Sequence, residues 1–248
     1  MKVSTDPREL GARDRLESRP VSVADGYERW APTYDRSHNP LLAREQRYLS
    51  PLLNGIRNRR VLDLACGTGR WLEQLIPTQA GATGVDQSGA MLRIANGKRC
   101  IAGKLVQADC THLPFAAALF ELVIFSFALG HIRRVDIVAS ELARVTRSGG
   151  EIFVSDLHPE ACAQGWRVGF RDVREAVKIE IFSRTSLEIV QSFLAAGFKC
   201  MSRVPLWLGE PERSIFSKAG KSAASFTNAT SIPAVLVFHF KKAAQPMT

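Results

Sequence analysis

From residue 60 onward, short apolar runs alternate along the chain with segments of helical periodicity. Runs that are apolar almost throughout are typical of buried strands, and they span residues 60–65, 81–86, 104–109, 119–127 and 151–156. The segments between them predict helices at residues 69–76, 89–96 and 133–146. Strands separated by helices of this length imply right-handed crossovers, so the pattern predicts an α/β fold with a mostly parallel sheet.

The chain after residue 157 follows a different pattern. An irregular stretch, residues 157–180, precedes a capping box formed by Thr185 and Glu188, which predicts the start of a helix. Two further strands are predicted at residues 198–208 and 233–242. Because no regular crossover helix fits between them, we expect these strands to pair antiparallel, with the C-terminal strand at one edge of the sheet.

Four segments flank this sheet. Residues 1–22 lack periodicity and mix both charge signs, which predicts a mobile N-terminal arm before a single domain at residues 23–248. Residues 23–56 read as amphipathic cap helices. Residues 157–185 and 209–232 are predicted as insertions on the substrate side. The second insertion is rich in glycine, serine and alanine, and we expect a mobile lid there.

Composition narrows the function classes. The chain has 248 residues and a net charge of +9, but its basic residues are scattered, which favours a solvated surface over a polyanion-binding face. Its five cysteines form no CxxC pair, which argues against a zinc site or a disulfide framework and favours reduced thiols. No signal peptide, membrane span or metal site is predicted, so we expect a cytoplasmic protein.

The sequence VLDLACGTGRW, residues 61–71, joins a strand to a glycine turn and a helix start. A dinucleotide fingerprint needs a third glycine where Leu72 stands, and a P-loop needs Gly-Lys-Ser/Thr after the turn. Both phosphate interpretations are therefore weak. Gly67 and Gly69 instead predict a close backbone approach to a ligand without phosphate, with Asp63 able to accept from a cationic group.

Acids at two later strand ends restrict the ligand further. Asp86 ends the second predicted strand, where a carboxylate can accept both hydroxyls of a ribose. Asp109 ends the third, where it can face an adenine amine. A ribose, a base and a positive charge without phosphate describe S-adenosylmethionine.

The motifs VLDLACGTGRW, GVDQSGAML, ADCTHLPF, FELVIFSFALGHI and ELARVTRSGGEIFVSD resemble those of class I S-adenosylmethionine-dependent methyltransferases, in particular the ubiquinone/menaquinone type. The resemblance implies a Rossmann-like, seven-stranded sheet with helices on both faces. It implies S-adenosyl-L-homocysteine as the product. It also implies that the cofactor contacts come from Tyr27, Tyr34, Asp63, Ala65, Gly67, Gly69, Asp86, Gln87, Met91, Asp109, Cys110, Phe125 and Ser126.

Candidate catalytic residues are His131 and His158, which follow the fourth and fifth strands, because histidine is the side chain that most readily exchanges a proton near neutral pH. In the alternative interpretation, His131 caps the following helix or contacts the carboxylate of the cofactor. The alternative interpretation of His158 is a loop histidine beside a proline turn. Aromatic and basic side chains near the same mouth suit a planar, anionic acceptor; these are Trp166, Arg167, Phe170, Arg171, Arg213 and Phe216.

We therefore expect methyl transfer to an O, N or C atom of a small cyclic metabolite, by a monomer or homodimer. The alternative is a tRNA or other RNA methyltransferase, motivated by the net charge of +9. A third hypothesis is a non-catalytic regulatory protein on the same fold. We do not expect nucleic acid as a partner, because no separate RNA-binding domain fits in 248 residues.

Overall fold

A computed structural model describes residues 20–172 and 175–244. Its strands are β1 (Arg60–Leu64), β2 (Gly81–Asp86), β3 (Leu105–Gln107), β4 (Phe120–Ser126), β5 (Thr146–Leu157), β6 (Gly169–Arg171), β7 (Ala176–Lys178), β8 (Phe198–Leu206) and β9 (Val235–Lys242). Its helices are α1 (Val23–Trp30), α2 (Pro40–Leu52), α3 (Arg70–Leu75), α4 (Gly89–Asn96), α5 (Val135–Val145), α6 (Pro159–Ala163), α7 (Ser186–Ala195), α8 (Glu210–Lys218) and α9 (Ala223–Thr230). The predicted arm at residues 1–22 lies almost wholly outside the described residues.

The strands form a seven-stranded sheet in the order β3-β2-β1-β4-β5-β9-β8. The first five are parallel, and β9 runs antiparallel to both β5 and β8. The predicted Rossmann-like sheet is confirmed, including the antiparallel pair at one edge. Within that pair the C-terminal strand β9 is the inner one and β8 is outermost.

The period of two along each central strand divides the core into two layers. In β1, Val61 belongs to an apolar cluster with residues of α2 and α3, whereas Leu62 and Leu64 belong to a second cluster with residues of α5 and α7. We call these faces the α2 face and the α5 face. By this alternation Asp63 and Asp86 lie on the α2 face, at the carboxyl end of the sheet.

The segment at residues 157–185 holds the N-terminal helix in place. Its hairpin β6–β7 stacks Phe170 on Trp30, with the ring centroids 5.1 Å apart. Arg29 of α1 pairs with Asp172 and Glu175 of the same segment. The cap helix and the insertion therefore form one packed unit over the sheet.

The prediction of a mobile lid at residues 209–232 is wrong. The segment folds into α8 and α9, and Phe216 and Phe226 are buried in the α2-face core, with their centroids 5.3 Å apart. Arg213 pairs with Glu210 and lies over the ring of Phe226. These contacts commit Arg213 and Phe216 to packing, which corrects their assignment to a substrate site. Each helix is too short, at 9 and 8 residues, for its apolar face to stand out in the sequence.

Candidate functional site

The turn between β1 and α3 presents open backbone at the carboxyl end of the sheet. Ala65, Gly67 and Gly69 all have positive φ, at 55°, 55° and 84°. A Cβ on Gly69 would come within 2.5 Å of Ile101, so this glycine is required by packing. A Cβ on Gly67 would meet no atom within 4 Å. Gly67 therefore borders free space, as a ligand approached by backbone requires.

Asp86 is tied to this turn by its own hydrogen bonds. Its carboxylate accepts from the backbone amides of Gly67 and Ser88, both at 2.8 Å. Burial raises the pKa of Asp86, and the same amides oppose the rise. A carboxylate offers about four acceptor positions, so two amides leave room for further donors. Its neighbour Gln87 is exposed.

Asp109 has a different environment. It is exposed, and one carboxylate oxygen accepts from both the backbone amide and the hydroxyl of Thr111, each at 2.8 Å. These hydrogen bonds lower the pKa of Asp109. The next residue, Cys110, is half-buried against the α5-face core, and burial raises the pKa of its thiol to about 12.

A buried polar network lies beside the turn on the α2 face. Glu45 of α2 is fully buried and accepts from the hydroxyls of Ser126 and Ser155, at 2.6 Å for Ser126. Its second oxygen pairs with the guanidinium of Arg70, which also donates to Ser126 at 3.0 Å. Ser126, predicted to line the cofactor pocket, is thus part of this network.

Two atoms at the edge of the network lack a partner among the described residues. They are Oδ2 of Asp63 and Nη1 of Arg70, and both are buried. Burial raises the pKa of Asp63 to about 8, with the Arg70 charge opposing this rise. A free buried acceptor and a free buried donor suit a ligand that carries both an ammonium and a carboxylate.

Aromatic side chains cover this end of the sheet. Tyr27 and Tyr34 pack with Met91 of α4, and their ring centroids are 6.4 Å apart. Burial raises the pKa of Tyr34 to about 12 and the pKa of Tyr27 well above its usual value, so both phenols stay protonated. The structure therefore brings together the three side chains that the sequence assigns to the two ends of the cofactor.

Phe125 is not brought into this site. It is fully buried in the α5-face core, because the alternation along β4 turns it away from the α2 face. Its assignment to the cofactor pocket is corrected on this ground.

His131 lies just after β4 and is held by both ring nitrogens. Nδ1 lies 2.8 Å from the carbonyl oxygen of Glu180, and Nε2 lies 2.9 Å from the hydroxyl of Tyr27. A carbonyl only accepts, so Nδ1 carries the proton. In the neutral ring, Nε2 then accepts from the hydroxyl of Tyr27.

His158 occupies the N-cap of α6, where its Nδ1 accepts from the backbone amide of Glu160 at 3.2 Å. Burial lowers the pKa of His158. The side chain thus caps the start of α6, a role that the sequence analysis considers for His131 and not for His158.

The predicted substrate residues at 166–171 separate in space. Arg167 lines a cleft of about 480 Å³ beside the ends of β5 and β9. Trp166 packs against the α2-face core instead, and Phe170 is occupied by its stacking on Trp30. Arg171 is exposed on β6. Only Arg167 therefore contributes to the cleft.

Sequence reasoning missed Glu45, Arg70 and Asp156. A signal existed for Glu45, which lies four residues from both Leu41 and Leu49 and so on the apolar face of α2. Asp156 is half-buried at the end of β5 and accepts from the backbone amides of Gly130 and Leu157, both at 2.6 Å. No pattern in the sequence separates it from an ordinary strand-end acid.

Neither a metal centre nor a membrane-spanning helix is found among the described residues. No cluster of three histidine, cysteine or acidic side chains is suited to hold a metal ion there. No helix in that part of the chain is long and apolar enough to cross a membrane.

Comparisons with known proteins agree with this geometry. Residues 62–154 match the family model described as a methyltransferase domain. The chain is 32% identical over 157 residues to the demethylmenaquinone methyltransferase of Renibacterium salmoninarum, an alignment that covers 60% of this chain and 64% of the relative. It is 31% identical over 183 residues to the biotin biosynthesis bifunctional protein BioHC of Cellvibrio japonicus, an alignment that covers 73% of this chain and 36% of that protein.

Among solved structures, a putative S-adenosylmethionine-dependent methyltransferase from Listeria monocytogenes superimposes with a TM-score of 0.63 at 21% identity, covering 81% of this chain and 99% of that one. The chain spans just under two thirds of the length of the demethylmenaquinone methyltransferases that it matches. Residues 62–154 thus match a methyltransferase domain, and the order of the sheet is that of a Rossmann-like fold shared with S-adenosylmethionine-dependent methyltransferases of known structure.

Proposed function

We propose that the protein transfers a methyl group from S-adenosylmethionine to an O, N or C atom of a small cyclic metabolite. One observation carries this proposal. The open turn at Gly67 lies beside Asp86 and beside Oδ2 of Asp63 and Nη1 of Arg70, two buried atoms that have no hydrogen-bond partner among residues 20–172 and 175–244. These groups match a ribose, an ammonium and a carboxylate, and they include no pair of donors arranged for phosphate.

The residues that would hold the cofactor divide into two groups. Asp86 would accept from the ribose hydroxyls, and Met91 would pack on the base. Asp63 and Arg70 would bind the charged methionine end, with Tyr27 and Tyr34 closing over it. The bound cofactor supplies a methyl group made electrophilic by its sulfonium. The protein's own task is then to align an acceptor and exclude water, which the aromatic cap is placed to do.

Deprotonation of the acceptor falls to His131 in this proposal. Its Nε2 accepts from Tyr27, and its Nδ1–H is fixed on the carbonyl of Glu180. A histidine whose Nδ1–H donates to a backbone carbonyl is held in one tautomer, with Nε2 as the atom that can accept a proton. To take a proton from an acceptor, Nε2 of His131 must first give up its hydrogen bond to the hydroxyl of Tyr27. Tyr27 lies between His131 and the other aromatic side chains of the cap. His158 is the weaker candidate, since its Nδ1 caps α6.

The relatives support a small acceptor. Several of the matched proteins are named demethylmenaquinone methyltransferase, with 31–34% identity over about 150 residues. We extend to this chain the class of acceptor, a small ring-bearing molecule, and leave the individual metabolite open.

Binding of S-adenosylhomocysteine by isothermal titration calorimetry tests the proposal. We expect a dissociation constant on the order of micromolar. Asp86→Ala should weaken binding about 30-fold, roughly 2 kcal/mol, because charge-assisted hydrogen bonds to the ribose are lost. Asp136→Ala is the matched control, since Asp136 is an exposed acid on α5 that pairs with Arg134. Equal affinities of wild type and Asp86→Ala, with unchanged melting temperatures, would remove Asp86 from the site.

A further inference from the structure

A second cavity lies on the α5 face, separate from the glycine turn. It is a cleft of about 480 Å³ between the ends of β5 and β9, helix α6 and the start of α7. Its lining is mostly apolar and includes Leu157, Leu236 and Phe238. Cys162 of α6 belongs to this lining, and burial raises the pKa of its thiol to about 11, so it is neutral. The volume falls within the range of pockets that hold ring-bearing small molecules.

Two arginines at this cleft have no acidic partner among the described residues. Arg167 donates to the carbonyl oxygens of Cys162 and Trp166, both at 2.7 Å, and takes part in no ion pair there. Arg184 donates to the carbonyl oxygens of Ile132, Arg133 and Phe182. Both guanidiniums therefore lie beside an apolar cavity with only backbone carbonyls as hydrogen-bond acceptors among the described residues.

The acids of the cleft are already engaged. The carboxylate of Asp156 accepts from the backbone amides of Gly130 and Leu157. The carboxylate of Glu188 accepts from the amide and hydroxyl of Thr185 in the capping box of α7. Neither acid lies at ion-pair distance from Arg167 or Arg184 among the described residues, so although the two acids and two arginines of the lining balance in formal charge, the guanidinium of Arg167 has no carboxylate directly against it.

The cleft also adjoins the proposed site of chemistry. Gly130, which lines it, immediately precedes His131, and its amide is held by Asp156. The charge of Asp156 acts on Tyr27, which hydrogen-bonds to His131, and it helps to raise the pKa of that phenol. The glycine turn lies on the other side of the β4 end. A molecule in the cleft would thus lie beside Gly130, the residue before His131, on the β5 side of the β4 end.

We infer that this cleft receives the methyl acceptor, and that the acceptor combines an apolar ring body with one anionic group bound by Arg167. The inference rests on the proposed function and specifies its substrate class. The apolar lining accounts for the ring body, and the unpaired guanidinium at the rim accounts for the anion. The anion is a carboxylate, sulfonate or phosphate, all of which Arg167 binds by the same chemistry.

Two dyes that share one ring system test the inference. The anionic probe is 8-anilinonaphthalene-1-sulfonate, and the neutral probe is N-phenyl-1-naphthylamine. Fluorescence titrations are run in saturating S-adenosylhomocysteine, so that the cofactor site is closed to either dye. Arg167→Gln should weaken binding of the anionic probe about fivefold and leave the dissociation constant of the neutral probe within twofold of wild type. Cys162→Phe, which fills the cleft, should weaken both probes about tenfold.

Arg57→Gln is the matched control, because Arg57 is an exposed arginine just before β1, at the opposite end of the sheet. It should leave both dyes unchanged. Displacement of the anionic dye by S-adenosylhomocysteine, or an equal response of both dyes to Arg167→Gln, would overturn the inference while cofactor binding stands. Absence of S-adenosylhomocysteine binding in calorimetry would instead refute the proposed function, and the acceptor cleft with it.

Discussion

The buried carboxylate of Glu45 offers the sharpest test of how this site is held together. Glu45 is 0% exposed and accepts from Arg70, Ser126 and Ser155, which come from α3, β4 and β5. The perturbation is Glu45→Leu, which nearly preserves volume but removes every acceptor. It would leave the guanidinium of Arg70, whose side chain is only 24% exposed, without its carboxylate, and two hydroxyls without their acceptor.

The expected loss is large. Removing one partner of a buried ion pair costs about 3–5 kcal/mol, because the remaining charge is left uncompensated. For a domain of this size, each kcal/mol lowers the melting temperature by about 2–4 °C, so the drop should be roughly 6–20 °C. Glu45→Gln keeps an acceptor and the shape, and should cost about 1–3 kcal/mol.

Urea denaturation followed by circular dichroism measures this loss, and calorimetry gives the melting temperatures. Glu28→Ala is the matched control, since Glu28 pairs with Arg93 on the surface, where the side chains are 60% and 70% exposed. That variant should stay within about 0.5 kcal/mol of wild type. A loss below about 1 kcal/mol for Glu45→Leu, with an unchanged m-value, would refute the view that Arg70 depends on this carboxylate.

Three further predictions concern charge and proton transfer. Burial raises the pKa of Asp63 from 3.8 to about 8; this carboxyl therefore stabilises the fold fully below pH 4 and loses that contribution as the pH rises to 8. This group should make the free energy of unfolding fall over this range by at most about 1.4 kcal/mol per pH unit. In urea denaturation of Asp63→Asn at several pH values, the free energy of unfolding should depend less steeply on pH than in wild type. An unchanged pH dependence would contradict the assignment. With an acceptor in hand, His131→Ala should lower kcat about 100-fold in a radiolabelled methyl-transfer assay while cofactor affinity stays within a few-fold; a collapse of cofactor affinity would make His131 a binding residue. The log–log dependence of kcat/KM on salt should have a slope near one unit at most, whereas a slope of several units with total tRNA as acceptor would favour the RNA methyltransferase hypothesis.

Much of the sheet could be predicted because its information is local. The apolar runs at β1, β2, β4 and β5 and the caps at Ser88 and Thr185 each act within a few residues, and the structure has the strands and helix starts where these signals lie. The glycine turn is local in the same sense. Its two glycines differ in role, however: Gly69 meets Ile101, which no spacing rule could indicate.

The parts that could not be predicted depend on contacts between distant segments. The spacing from Leu41 and Leu49 places Glu45 on the apolar face of α2, but no local signal indicates that Ser126 and Ser155, 81 and 110 residues away, donate to its carboxylate. The lid prediction at 209–232 failed for a related reason. Its composition suits a loop, but Phe216 and Phe226 pack against each other in the α2-face core. The free energy gained from burying these rings stabilises two helices whose sequence pattern is weak.

The alternation of side chains along β4 and β5 connects these observations to the proposed reaction. On β5, Ser155 faces α2 and the buried Glu45 network, whereas the next residue, Asp156, lies on the α5 face and lines the cleft. One residue step therefore separates the wall of the proposed cofactor site from the wall of the proposed acceptor site. His131 follows β4 directly, and the Gly130 amide bonds to Asp156, so the histidine is anchored where the two faces meet. A shift of register by one residue in β5 would exchange the two faces and dismantle both sites at once. The pairing of β5 with β4 and β9 along its length thus fixes the separation of the two ligands as well as the fold.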